Sequence, residues 1–393
     1  MAIGIIFLAV LCLAYANGAN DNFKGVATLF GSGTTDYRSA LTLATVATFL
    51  GSLTAVFLAG KLLEAFSGKG LVADQFVADP GYVSAVALGA GLTVLLATRV
   101  GLPISTTHSL VGALIGSGWA AGSALDFATL GKSFFAPLMI SPVLAVVATC
   151  CLYPICRRIR RRAGITEETC LCVGTETLEV IPAECTSTAA LVRAEELTVK
   201  VGTEVECRTR YQGRVLGINA VSALDKLHFV SAGLVSFARG LNDTPKIAAL
   251  LLLVPALGKF GSTALVGVAI AVGGIVSVRK VAETMSQKIT PMSHGQGFLA
   301  NLMTGTIVIG ASRMGLPVST THVSCGALFG IGTVTRQGNA KMIGTILAAW
   351  ITTLPLGAAL GAISYWVILR LIYRDSELLD VSVTFGEAVK RLV

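Results

Sequence analysis

The sequence predicts an all-α polytopic membrane protein with two inverted-topology repeats of about five segments each. Broken or re-entrant helices are expected in both repeats, and a small β-rich cytoplasmic insert lies between them. Three observations carry that expectation. Of 393 residues, 53% are apolar and 13% charged, against roughly a quarter charged in an average soluble domain, and mean hydropathy is +0.75. Apolar residues run continuously instead of alternating, which favours helices over the strands of a membrane barrel. One polar phrase also occurs twice: Gly101 to His108 reads GLPISTTH and Gly315 to His322 reads GLPVSTTH. Each has an Asn-Asp pair upstream, Gly18-Ala19-Asn20-Asp21 and Gly240-Leu241-Asn242-Asp243.

Taken in order, apolar runs long enough to cross or partly cross a bilayer fall near 1–18, 40–60, 83–98, 103–122 and 133–156. A second set falls near 227–254, 258–278, 297–312, 316–333 and 341–373. The first run lacks a basic leader and flows into the Asn-Asp motif, so it reads as a spanning segment and not a cleaved signal. An odd number of segments per half makes the second half enter from the opposite side. Shorter similarities keep the same order: Lys61 and Glu64 against Lys280 and Glu283, and Arg99-Val-Gly-Leu-Pro103 against Arg313-Met-Gly-Leu-Pro317. The expected units are 1–156, a first membrane repeat, 157–226, a cytoplasmic insert, and 227–393, a second membrane repeat. The 43 glycines suit helices that pack closely in lipid.

The formal charge of +8 does not imply nucleic acid, because Arg157, Arg158, Arg160, Arg161 and Arg162 sit together just after an apolar run, where a positive-inside anchor belongs. That places the insert in the cytoplasm and both termini outside, with Lys61, Lys69 and Lys132 also outside. The insert is rich in glutamate, from Glu167 to Glu206, and alternates along Leu197–Val201 and Val205–Thr209, which reads as short half-buried strands. Its cysteines, Cys170, Cys172, Cys185 and Cys207, match no common zinc spacing. They read as small core residues in a reducing compartment.

Pro103 and Pro317 suit the first turn of a helix, so each Ser-Thr-Thr run is expected at a helix start inside the membrane. Free N–H groups and the hydroxyls of Ser105, Thr106, Thr107, Ser319, Thr320 and Thr321 would there offer donors to an anion. Two such starts approached from opposite faces fit a tetrahedral oxyanion. Serine and threonine in membrane helices also bond their own backbone, but three hydroxyls in register, twice, favour the anion site. Asp21 and Asp243 need pairing or a cation at lipid depth. With Asn20, Asn242 and backbone unwound at Gly18 and Gly240, they offer oxygen-only coordination for a hard monovalent cation such as sodium.

Lys24 and Lys246 lie three residues after each aspartate, either as internal partners that lower the cost of burial or as direct contacts of the anion. If each lysine balances its aspartate, the anion itself stays uncompensated unless cations bind with it, which would couple the two. His108 and His322 could relay protons, touch the anion or satisfy a neighbouring carbonyl. Arg99, Arg239 and Arg313 attract the anion or snorkel to the interface, and Glu64 and Glu283 read as helix-surface pairs.

These paired motifs resemble the duplicated signature of the inorganic phosphate transporter (Pit) family, sodium- or proton-coupled carriers that include the animal type III sodium-phosphate cotransporters. The resemblance covers both membrane halves and leaves out the insert. It implies a secondary active transporter that imports phosphate by alternating access, in the plasma or inner membrane, as a homodimer. Phosphate would then meet Asp21, Asn22, Ser105, Thr106, Thr107, Asp243, Thr244, Ser319, Thr320 and Thr321. Co-transported sodium would meet Asn20, Asp21, Asn242 and Asp243, with Lys24, Lys246, His108 and His322 as auxiliaries and no bound cofactor.

Two positions depart from the family pattern: lysine replaces a frequent asparagine at 24 and 246, and Asn301 replaces a frequent glutamate. Proton coupling, a metal-phosphate cargo, another oxyanion or an anion channel are the rival readings. Hydroxyl triplets without a nearby base, and no nucleotide loop, argue against an enzyme. A signalling role resting on the insert is a further reading.

Overall fold

A computed structural model describes residues 2–66, 71–166, 168–175, 197–203 and 216–390. Among the described residues, ten long helices correspond one for one to the ten expected segments, and we number them in chain order. The first five are α1 (Ala2–Asp21), α2 (Tyr37–Leu58), α3 (Pro80–Val100), α4 (Thr106–Ala120) and α5 (Ala136–Arg162). The second five are α6 (Ala220–Ala248), α7 (Gly258–Ser277), α8 (His294–Met314), α9 (Thr320–Thr335) and α10 (Ala340–Lys390). Among the described residues, seven helical stretches are long and apolar enough to cross a bilayer, which makes this a multi-pass membrane protein. Large apolar side chains such as Leu8, Phe57, Val147, Val230, Ile351 and Trp366 stay exposed, as lipid-facing positions should.

The other three helices are α4, α8 and α9. With 15 and 16 residues, α4 and α9 reach only ~22 to 24 Å at 1.5 Å per residue, short of the ~30 Å hydrocarbon layer.

Local sequence sets the boundaries. Asp36 caps α2 by accepting from the N–H groups of Arg38 and Ser39. Asp79 caps α3 in the same way, with Pro80 opening the helix. At the far ends of α3 and α8, Gly101 (φ 78°) and Gly315 (φ 76°) adopt the left-handed conformation that stops a helix. The sequence predicts Pro103 and Pro317 in the next helix's first turn; they lie instead in the link after each stop. The helix begins three residues later, with Ser105 and Ser319 as N-caps.

The halves interlock. Helix α1 packs on α3 of its own half and on α7 of the other, while α6 packs on α8 of its own half and on α2 of the other. Likewise α4 lies against α10 and α9 against α5. Each of these helix contacts thus has a twin with the halves exchanged. Glycine makes the closest of these approaches: a Cβ on Gly18 would overlap the Ile270 carbonyl of α7, and one on Gly240 would overlap the Thr48 carbonyl of α2.

Gly18 and Gly240 do not unwind the backbone, because α1 and α6 are continuous through both. Small size, and not freedom of φ, is what these positions need.

In the insert, strands Thr169–Thr175, Leu197–Thr203 and Leu216–Asn219 form an antiparallel sheet with the first strand in the centre. This agrees with the alternation read along Leu197–Val201. Cys170 is buried, as expected of a small core residue. The stretch Val205–Thr209, the glutamates from Glu176 to Glu196 together with Glu167, Glu204 and Glu206, and Cys185 and Cys207 lie outside the described residues.

Candidate functional site

Five charged side chains are buried among the described residues: Asp21, Lys24, Arg239, Asp243 and Lys246, each at most 3% exposed. All five belong to one polar cluster where the two halves meet. Burial of this kind costs several kcal/mol per charge unless each finds partners, and here the partners come from both halves.

Asp21 ends α1. One carboxylate oxygen pairs with Lys24, and the other accepts from Asn17 (3.0 Å) and from the Thr106 hydroxyl (3.1 Å). The Lys24 ammonium donates also to Asn20 Oδ1 (2.9 Å), to the Ile104 carbonyl (2.9 Å) and, across the halves, to Thr321 Oγ1 (2.5 Å). Lys246 mirrors it, 3.4 Å from Asp243 Oδ1, donating to the Val318 carbonyl (2.7 Å) and across the halves to Thr107 Oγ1 (2.8 Å). The hydroxyl of Thr320 donates to Asp243 (3.3 Å), as Thr106 does to Asp21. Thr321 donates to the Ile104 carbonyl (2.8 Å) and Thr107 to the Val318 carbonyl (3.5 Å). The two Ser-Thr-Thr helix starts therefore abut, each lysine tying one half's aspartate to the other half's threonine.

Ser105 and Ser319 accept from the N–H groups of His108 (3.1 Å) and His322 (3.3 Å), which orders the first turn. The two imidazoles face each other with ring centroids 4.4 Å apart, and His322 stacks on Trp350 at 3.8 Å. Asn20 ties the motif to the α3–α4 link through Thr98, the Leu102 carbonyl and the Ile104 N–H. Asn242 does so in the second half through Ser312 and the Val318 carbonyl.

Two expected ligands turn elsewhere. Asn22 donates to Thr45 of α2 (2.8 Å) and accepts from Arg239, while Thr244 bonds Ser52 of α2 (2.7 Å). Both face α2 and not the threonine pairs. Asn301 is buried within α8, its side-chain nitrogen without a partner.

Arg239 departs furthest from the expectation: it is 1% exposed, not at an interface. Its guanidinium donates to Asn17 Oδ1 (2.6 Å), to Asn22 Oδ1 (3.1 Å) and to Thr48 (3.4 Å), and lies 3.8 Å from Asp243. Arg99 and Arg313 are exposed. The signal was in the register: Asn17 and Arg239 stand four residues before Asp21 and Asp243 in the twin motifs, so the two equivalent positions meet. Counting the lysines, three cations face two carboxylates, a formal charge of 3 − 2 = +1 on the cluster.

The phosphate transporter family model matches residues 17–361. The chain belongs to the phosphate transporter family. Members are carriers and not enzymes. Among its relatives, a protein named as a phosphate permease from Pyrococcus abyssi is 26% identical over 91% of this chain and 96% of its own length. A chloroplastic inorganic phosphate transporter of Arabidopsis thaliana is also 26% identical, over 92% of this chain and 71% of its own. A solved structure described as the sodium-dependent phosphate transporter superposes with a TM-score of 0.72 at 22% identity, covering 94% of this chain and 99% of that one. That likeness speaks to the fold of this transporter-family member.

Proposed function

We propose that the chain imports inorganic phosphate by alternating access, with one substrate site at the junction of the halves. The observation that carries it is the cross-lacing of Lys24 to Thr321 and of Lys246 to Thr107. Donors from both helix starts converge on one buried cluster of charge +1, complementary to a small oxyanion. Thr106, Thr107, Thr320, Thr321, Lys24 and Lys246 would exchange their internal acceptors for phosphate oxygens. Ser105 and Ser319 would hold the helix starts that aim them, and Asn22 and Thr244 would act through α2.

Residues 1–156 and 227–393 are read as repeats of opposite topology around this site, with 157–226 between them on the cytoplasmic side of the cell membrane. In this reading the termini lie outside and the chain pairs as a homodimer. A channel would need a wet path, whereas every charged group here is enclosed.

Sodium as the co-transported cation is supported by the oxygen-rich Asn20, Asp21, Asn242 and Asp243 set and by the sodium dependence that the structural neighbour's name carries. A second reading, with proton coupling or with the counter-charge supplied by the chain, is favoured by the presence of the two lysines within that oxygen set.

Counterflow of labelled phosphate in proteoliposomes tests the proposal. Saturable exchange competed by arsenate more than by sulfate is expected, and flux that rises linearly with phosphate would contradict it.

A further inference from the structure

The oxygen set that invites a monovalent cation is already engaged by this chain's own nitrogen. Around Lys24 Nζ stand Asn20 Oδ1, the Asp21 carboxylate, the Ile104 carbonyl and Thr321 Oγ1. Each acts as an acceptor: the Asn20 amide nitrogen donates elsewhere, to Thr98 and Leu102, and the Thr321 proton goes to the Ile104 carbonyl. Four oxygens around one nitrogen, one of them from the Asp21 carboxyl group, suit an ammonium with its three hydrogens shared among them. Lys246 Nζ has three of the four counterparts, Asp243 Oδ1, the Val318 carbonyl and Thr107 Oγ1, while Asn242 Oδ1 accepts from Ser312 instead. Hard oxygen ligands around a compact monovalent charge are what a sodium ion would require, and both cages satisfy that requirement with a tethered ammonium.

Charge leads to the same place. With both lysines and Arg239 present the cluster stands at +1, so a monoanionic phosphate makes it neutral. A sodium ion added to that assembly would restore a net charge in a low-dielectric interior. One cation per aspartate, as the sequence suggests, leaves the anion unbalanced; Arg239 removes that imbalance.

We propose that the ammonium groups of Lys24 and Lys246 are built-in substitutes for two co-transported cations, so that this chain moves monoanionic phosphate without sodium. The inference rests on the phosphate reading above and refines its coupling. Lysine is then both counter-ion and ligand: its four-carbon stem lets the ammonium follow phosphate oxygens while staying bound to the chain.

Two measurements on the full-length purified protein test this, and only one of them depends on phosphate transport. The first is phosphate counterflow in proteoliposomes with sodium or with choline on both sides. The wild type is expected to run at the same rate in both, and Lys24→Asn with Lys246→Asn to gain about tenfold stimulation by sodium, the equivalent of 1.4 kcal/mol. The second is thermal unfolding in sodium chloride against choline chloride at equal ionic strength. Sodium is expected to raise the midpoint of the double variant and leave that of the wild type unchanged.

Sodium-stimulated counterflow in the wild type, or sodium-specific stabilisation of it, overturns the proposal. If no phosphate moves under either salt, the phosphate reading has failed, and the unfolding experiment still decides the question of cation replacement. If the double variant does not fold, the two wild-type measurements decide alone.

Discussion

In the first half the aspartate motif closes a helix: α1 stops at Asp21 and the chain turns through residues 22–26 before resuming helix at Ala27. In the second half α6 continues through Asp243 and Pro245 to Ala248 and tightens into a 3₁₀ turn over Ala249–Leu253. The lysine cages nevertheless share three contacts, each reaching its own aspartate, its own α-link carbonyl and the opposite threonine, while Lys24 alone adds the neighbouring asparagine, Asn20. What differs is the residue four places upstream, Asn17 in one half and Arg239 in the other, and these two bond each other. A duplicated unit can therefore keep most of its ligand contacts while placing its charge asymmetry in one position shared between the copies. An arginine at both positions would put two guanidinium groups together; an asparagine at both would leave the cluster at zero charge.

The largest expected effect separates the aspartates. Asp21 is the close partner of Lys24, whereas Asp243 lies at 3.4 Å from Lys246 and 3.8 Å from Arg239. Asp21→Asn leaves a buried ammonium short of its main counter-charge, and removing one partner of a buried pair costs about 3–5 kcal/mol. Asp243→Asn should cost visibly less, since this carboxylate stands farther from both of its cations and each of them keeps neutral acceptors of its own. Thermal unfolding in detergent compares them, and equal losses would deny the asymmetry.

Arg239→Gln ranks next. It removes the surplus positive charge and charge-assisted hydrogen bonds worth about 1.5–3 kcal/mol each. Phosphate affinity should fall by about 10 to 100-fold, while Asn17→Ala should weaken it less. Equilibrium binding of labelled phosphate to the two variants measures the difference.

Where the halves match, their variants should match. Gly18→Ala and Gly240→Ala each push a methyl group into a facing carbonyl, and such overpacking costs about 1–3 kcal/mol. Similar losses of unfolding midpoint are expected, and a large disparity would show that the interlocking of the halves is uneven. The smallest effect belongs to the exposed Arg279–Glu283 pair, 3.5 Å apart with both side chains in solvent. Glu283→Ala should change stability by less than about 0.5 kcal/mol, and a larger change in the same unfolding assay would assign this pair a structural part.

Most of the fold was legible because lipid leaves few options. Ten apolar runs became ten helices, and the alternating Leu197–Val201 became a strand. The twin motifs stood out because polar text in a membrane has to be compensated, and the structure brings both into one buried cluster. Three features were hidden for physical reasons. Gly18 and Gly240 carry no mark distinguishing freedom of backbone from closeness of packing, and only the facing carbonyls of Ile270 and Thr48 decide it. Asn22 and Thr244 sit beside the aspartates in sequence, but adjacent residues of a helix point in different directions, and these two point at α2. Arg239 lay within an apolar run where a long cationic side chain could have snorkelled; its meeting with Asn17 is a fact of the interlocked halves, visible in one dimension only through the shared register of the motifs.

The central claim, that the two hydroxyl motifs build one anion site and not two, is tested most directly by the stoichiometry of labelled-phosphate binding to the purified wild type, Thr107→Val, Thr321→Val and the double variant. One phosphate per chain is predicted, with each single variant weakening that same site and losing the net 0.5–1.5 kcal/mol or so of one hydrogen bond. Two phosphates per chain, with each variant abolishing one and sparing the other, would contradict it.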